Sequence, residues 1–212
     1  MNTRRIAIIS IFAAVSVILV LSPLKVPAPP PMSFLVFQIW EIPIVLALLL
    51  YGLSVAGSIS ILNTIVLLVI YPGSLPSGPV YNLAAVLSML LGIYIVHRLA
   101  AKHLGKVMAL AVSSTAIGCL MRVGVMSVVN YIALPLPFPI GYGSFGMTPQ
   151  GAIALLPPIG LFNAIVALYT IPTGYFISKI VSNRIPTVIN NKPHPKVNNT
   201  QERKEADKTS TK

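Results

Sequence analysis

Residues 41–96 read EIPIVLALLLYGLSVAGSISILNTIVLLVIYPGSLPSGPVYNLAAVLSMLLGIYIV, and after Glu41 they hold no charged side chain for 55 positions. One bilayer crossing takes about 20 apolar residues, so this stretch contains several. Gly52 and Gly57 divide its first half into segments 41–51 and 54–70. Residues 71–79, with three prolines and two glycines, break the chain again before a further apolar run, 80–96.

On the N-terminal side, an apolar run at 6–21 follows Arg4 and Arg5, and 22–31 holds five prolines, which a continuing helix would not tolerate. An extended external loop is expected there. No small-x-small cleavage site follows the first run, so it is read as a retained span rather than a signal peptide. On the C-terminal side come a basic linker at 97–106, a fifth span at 107–134, a Pro/Gly-rich loop at 135–151 and a sixth span at 157–181 with proline in its first turn. The predicted fold class is all-α: a polytopic membrane protein of six transmembrane helices over residues 1–184. Residues 185–212 are polar and rich in Asn, Lys, Thr and Glu, and are expected to form a disordered cytoplasmic tail.

Composition agrees with this reading. The 212 residues are 55% hydrophobic and 9% charged, with a mean hydropathy of +0.84, far from the balance of a soluble domain. Residues 1–184 hold nine Lys and Arg against one carboxylate, Glu41. These basic residues cluster beside apolar runs, where topology and anionic lipid headgroups account for them and nucleic acid does not. Arg4, Arg5, Arg98, Lys102, Lys106, Lys179 and Arg184 fall at the N-terminus, the fourth linker and the end of the sixth span, which six spans place on one side; Lys25 stands alone on the other. Both termini are therefore expected in the cytoplasm. Merging the second and third spans would put the 97–106 linker across the membrane from Arg4 and Arg5 and break this pattern.

Chemistry by the chain itself is not expected. His97, His103 and His194 are assigned to linker or tail, Glu41 has no second carboxylate in the membrane domain, and Cys119 is the single cysteine. No metal set, phosphate loop or paired acid and base emerges, and no cofactor is expected. Polar residues inside the spans share a depth instead. Asn82 lies about a turn inside the outer end of the fourth span, Asn130 near the outer end of the fifth, and Asn163 about 9 Å into the sixth at 1.5 Å per residue. Trp40 and Glu41 stand at the outer mouth of the second. Each amide alone reads as helix-to-helix glue; their common level points to a binding site. Arg122 lies about 22 Å along its span, too deep for an unpaired charge, and Glu41 is the one intramembrane acid available to it. The arginine is read either as a structural ion-pair partner or as a substrate contact. Ala7, Ser10 and Ala14 form a small-residue stripe on the first helix, suited to internal packing or to docking a partner.

Four motifs in this order resemble the substrate-binding S component of energy-coupling factor (ECF) vitamin transporters, most closely the riboflavin-specific branch. Glu41-Ile42-Pro43 followed by Leu50-Tyr51-Gly52 is similar to that family's short second helix, and Ser77 to Leu83 to its Gly-rich entry to helix four with an Asn. Asn130-Tyr131 before Leu134-Pro135 resembles its ending of helix five, and Pro158 to Asn163 its start of helix six. The resemblance implies that a vitamin is captured from outside, without catalysis, by a site that here takes in Asn82, Asn130, Asn163, Tyr81, Tyr131, Trp40, Glu41 and Arg122. It also implies a membrane T component, met through an Ala-xxx-Ala stripe that here is Ser10 and Ala14, and two ATPase subunits. One departure bears on the ligand: Val166 stands where the family's pattern has Lys, and Arg122 is the candidate to replace that donor. Alternatives are an S component for another small vitamin or precursor, and a non-transport assembly subunit whose amides only join helices.

Overall fold

A computed structural model of the chain describes residues 3–30, 32–70, 75–104 and 107–184. The expected tail, 185–212, lies outside the described residues. The chain divides into a compact unit, Met1–Lys179, which holds the helical bundle, and a second, Ile180–Lys212, whose described residues are the last turn of the final helix.

Six helices stand in the expected order: α1 Thr3–Leu21, α2 Ile42–Tyr51, α3 Leu53–Ile70, α4 Gly78–Leu104, α5 Val107–Ala133 and α6 Pro149–Arg184. Five are long and apolar enough to cross a membrane. The sixth, α2, has ten residues and rises only about 15 Å, half the thickness of a hydrocarbon core. It starts with proline in its first turn and stops at Gly52, whose φ of 90° suits a residue without a Cβ.

The core lies between α1, α2, α3, α4 and α6, where Ile44, Val45, Ile59, Met89, Leu90, Ile93 and Ile171 are buried together. α4 and α5 cross closely because glycines meet. A Cβ added to Gly92 would stand 2.8 Å from the Gly118 Cα and 2.9 Å from the Ile117 carbonyl oxygen. At the start of α1, Arg5 Nη2 donates to Ser54 Oγ at 2.6 Å, tying α1 to the start of α3.

Four boundaries differ from those expected of the sequence. The first concerns 22–31, which is strand over three of its residues: β1 Lys25–Pro27 pairs antiparallel with β2 Val36–Gln38, Val26 opposite Phe37. Among its described prolines, Pro23 precedes the strand, Pro27 ends it and Pro29 and Pro30 follow in the turn, where no ladder N–H is needed. Second, 97–104 is helical and continues α4, since it contains no Pro or Gly and is rich in Ala, Leu, Arg and Lys, which favour helix. His97 accordingly belongs to α4, half-buried, and bonds to the Tyr175 hydroxyl, which donates to Ser114 Oγ at 2.8 Å. This polar knot joins α4, α5 and α6 at the end of the bundle where α5 begins.

Third, α6 starts eight residues early, at Pro149 rather than Pro157. Thr148 accepts from the Gly151 N–H through Oγ1 at 3.1 Å, and Pro149 occupies the first helical position; Thr-Pro is a helix start in its own right. Pro157 and Pro158 consequently lie inside the helix. Fourth, α5 ends at Ala133, and a 3-10 turn, Gly143–Phe145, sits within the loop after it.

The α4–α5 crossing yields the first prediction. Gly92→Leu must push apart backbones that now touch, an overpacking that costs about 1–3 kcal/mol. The thermal midpoint of the detergent-solubilised protein, followed by circular dichroism, should fall; an unchanged midpoint would mean that the close approach contributes nothing to stability.

Candidate functional site

Helices that alternate in direction bring the end of α1, the start of α4, the end of α5 and the middle of α6 to one end of the bundle. There they surround a cavity of about 330 Å³, at the small end of the range for ligand sites. Its roof comes from the two loops: Ser33 to Val36 and Gln38 of the hairpin, and Ile140 and Tyr142 of the α5–α6 connection.

At its wall lies the ion pair. Arg122 sits 15 residues along α5, about 22 Å from its start. Glu41 caps α2 about 15 Å from that helix's far end, which alternation puts at the same side as the start of α5. The difference is within reach, because a helical side chain leans toward the helix N-terminus, so that Arg122 points down toward Glu41. Arg122 Nη1 donates to Glu41 Oε2 at 2.5 Å and Nη2 to Oε1 at 2.9 Å, a bidentate pair. Nε donates to Asn163 Oδ1 at 3.0 Å, and Nη1 also faces Met89 Sδ at 3.7 Å. Arg122 is 3% exposed and Glu41 4%. Glu41 thus lies inside the bundle beside its partner rather than at an outer mouth, since α2 is too short to carry its first residue to the membrane surface.

The other residues singled out in the sequence divide as follows. Trp40, Tyr81, Asn82, Asn130 and Asn163 line the cavity. Asn163 Nδ2 donates to the Ile159 carbonyl at 2.9 Å and Asn130 Nδ2 to that of Met126 at 2.7 Å, each four residues back along its own helix. Asn82 is exposed to the cavity mouth. Tyr131 is not among the lining residues and is 51% exposed; one residue beyond Asn130 on a helix means a turn of about 100°, which carries its ring off the cavity face. Ala7, Ser10 and Ala14 are exposed along one face of α1, while Ile9, Ala13, Ser16 and Val20 make its buried face.

Sequence reasoning missed the roof and the aromatic wall. Phe34, Tyr142, Phe162 and Tyr169 line the cavity together with Gln38 and Met126. Phe37 packs on Phe162 with ring centroids 4.5 Å apart, and Phe34 on Tyr142 at 5.3 Å. Tyr169 donates its hydroxyl to the Gln38 carbonyl at 2.5 Å, fixing the second strand to α6. The apolar run of 34–40, FLVFQIW, interrupted only by Gln38, was the available signal. Val166 is 3% exposed and packs with Ala28 and Phe162 beneath the hairpin. An ammonium there would lose its water without gaining an acceptor in that cluster.

The second roof segment is latched. Ser77 Oγ donates between the Pro139 and Ile140 carbonyls at 3.0 and 2.9 Å, and Tyr81 OH donates to Ile140 O at 2.5 Å. The loop is folded tightly: a Cβ on Gly141 would stand 2.0 Å from the Ala133 carbonyl oxygen, which excludes any other residue. Among the described residues no three His, Cys, Asp or Glu side chains gather to hold a metal.

Tyr81 gives the second prediction. Tyr81→Phe keeps the ring at the cavity and removes one hydrogen bond, worth about 1 kcal/mol. Amide exchange across residues 138–146, read by mass spectrometry, should quicken about 5-fold while α4 is unaffected. Unaltered exchange would assign the whole latch to Ser77.

No family model and no curated protein matches the chain. A solved structure does: the S component of a bacterial ECF transporter, with a TM-score of 0.66 and 19% identity over 90% of this chain and 100% of that one. The chain therefore shares the fold of that S component.

Proposed function

We propose that the chain is the membrane-embedded substrate-binding subunit of an ECF-type transporter, capturing riboflavin or a close flavin from outside for import driven by partner subunits. The observation that carries this is the cavity: aromatic rings and four side-chain amides line one space, in a chain with the fold of an S component. Trp40, Phe34, Tyr81, Tyr142 and Phe162 give the lining an aromatic surface suited to a flat ring system, while Asn82, Asn130, Asn163 and Gln38 supply donors and acceptors for its polar edge. The positive-inside pattern puts this end outside and both termini in the cytoplasm. The chain acts by binding rather than by catalysis: the one acid and base that meet at the cavity are locked in an ion pair.

An S component for another small vitamin or precursor is the second reading, and Val166 favours it: the cation of the riboflavin pattern is replaced by an aliphatic group packed under the hairpin. An assembly subunit would have no use for a roofed cavity. Titration with riboflavin, followed by quenching of its fluorescence, discriminates among these. Micromolar quenching supports the flavin reading; none, with a different small molecule found in the purified protein by mass spectrometry, replaces it with the second. Where riboflavin binds, Asn130→Ala and Asn163→Ala should each weaken it about 5- to 150-fold, equivalent to the 1–3 kcal/mol of an unpaired buried group, and Asn82→Ala, at the exposed mouth, should weaken it less. Three unaltered affinities would remove the amides from the site.

Import requires a T component and two ATPases, and the face of α1 bearing Ala7, Ser10 and Ala14 is the proposed docking surface. Those small residues point away from the bundle, so packing within the chain does not explain them. Ala14→Trp should abolish uptake in cells expressing the complex while leaving ligand affinity as it was; normal uptake would move the docking surface elsewhere.

A further inference from the structure

The cavity wall holds two charged groups among its described lining residues, Glu41 and Arg122, and they cancel. Every nitrogen of the guanidinium is engaged: Nη1 and Nη2 with the two carboxylate oxygens, Nε with Asn163 Oδ1. Both residues are almost fully buried, so the pair presents the cavity with dipoles and no net charge. Lys25, the other basic residue near this end, is exposed on β1 and does not line the cavity.

We infer that the cavity selects a neutral ligand, and that Glu41 sets this selectivity by holding the charge of Arg122 away from the ligand. The inference rests on the flavin reading above and adds the charge state of the molecule that is accepted. An anion entering the cavity would give up its hydration without finding an unengaged cation in the wall. To take Arg122 for itself it would have to displace Glu41, leaving that carboxylate buried and unpaired. A cation meets the mirror problem, because Glu41 is already occupied on both oxygens. A neutral ring with amide-like edges faces neither cost. It uses the hydrogen-bond capacity left on the three asparagines and Gln38.

Removing the carboxylate should therefore change which ligand binds. In Glu41→Gln the guanidinium keeps its place beside Asn163 and loses its counter-charge, and the cavity becomes cationic. In the double variant Glu41→Gln/Arg122→Gln it is neutral again.

Three probes test this by fluorescence quenching on the detergent-solubilised full chain: riboflavin, riboflavin 5′-phosphate with its charge on the side chain, and 8-carboxyriboflavin with its charge on the ring. The wild type should bind riboflavin at least about 100-fold more tightly than either anion. Glu41→Gln should bring one anion to within about 10-fold of riboflavin, and the double variant should restore the preference for the neutral probe. A wild type that binds either anion within about 10-fold of riboflavin overturns the inference, as does a Glu41→Gln variant that binds riboflavin with the original preference. Should Glu41→Gln fail to fold, the wild-type ratios together with the double variant still decide. Absence of riboflavin binding by the wild type is a separate result, which removes the flavin reading and the inference with it.

Discussion

One buried ion pair joins the architecture to the site. Glu41 stands at the N-cap position of α2, Arg122 lies in the middle of α5, and Asn163 of α6 takes the remaining guanidinium edge, so three helices far apart in sequence are pinned at one depth. Desolvating two charges costs several kcal/mol each, and bidentate geometry with a third partner is what offsets it. The pair is better understood as specifying an arrangement than as adding stability. With one member gone, the other would be left buried and charged without its partner, at about 3–5 kcal/mol. A helix of ten residues could slide along its neighbours; a bidentate contact at its N-cap residue fixes its height. Because the same three side chains line the cavity, the device that sets the helix register also sets the electrostatics of the site.

The roof obeys a different logic. The hairpin is held by apolar packing on α6 and one hydroxyl bond from Tyr169, and the α5–α6 loop by hydroxyls of Ser77 and Tyr81 on α4. Neutral hydrogen bonds of this kind contribute about 1 kcal/mol each, far less than the cost of breaking the ion pair. The wall is therefore held more strongly than the cover, which suits the proposed entry of a ligand. Val166 fits this division: an aliphatic group there strengthens the seat of the hairpin where a cation would have weakened it.

The charged and amide residues of the wall were legible in the sequence; its aromatic part and the roof were not, for physical reasons. Charge in a membrane is so costly that a lone intramembrane acid and a lone intramembrane arginine have to meet, so Glu41 and Arg122 could be matched without coordinates. The helices followed from apolar runs and glycine or proline breaks, with errors where a signal was overlooked, as at Thr148-Pro149, or where a helix outlasts its apolar stretch, as in 97–104. The hairpin is two strands of three residues paired across a proline-rich turn, too short for alternation to stand out and dependent on Phe162 and Tyr169, far away along the chain. Tyr131 was misplaced relative to the cavity by adjacency, since a neighbour in sequence is a different face on a helix.

The asparagines show why depth was the useful clue and residue type was not. Asn63 is fully buried in α3 and does not line the cavity, so an intramembrane amide is not in itself a ligand contact. Asn130 and Asn163 each spend one N–H on the carbonyl four residues back, which anchors the amide against its own helix and fixes its orientation. An amide offers two N–H donors and a carbonyl with two lone pairs. After these bonds Asn130 retains a donor and its carbonyl, and Asn163 a donor and one lone pair beside the Arg122 contact. The bond back to its own helix thus turns a flexible amide into a preoriented one, the state that the proposed ligand contact requires.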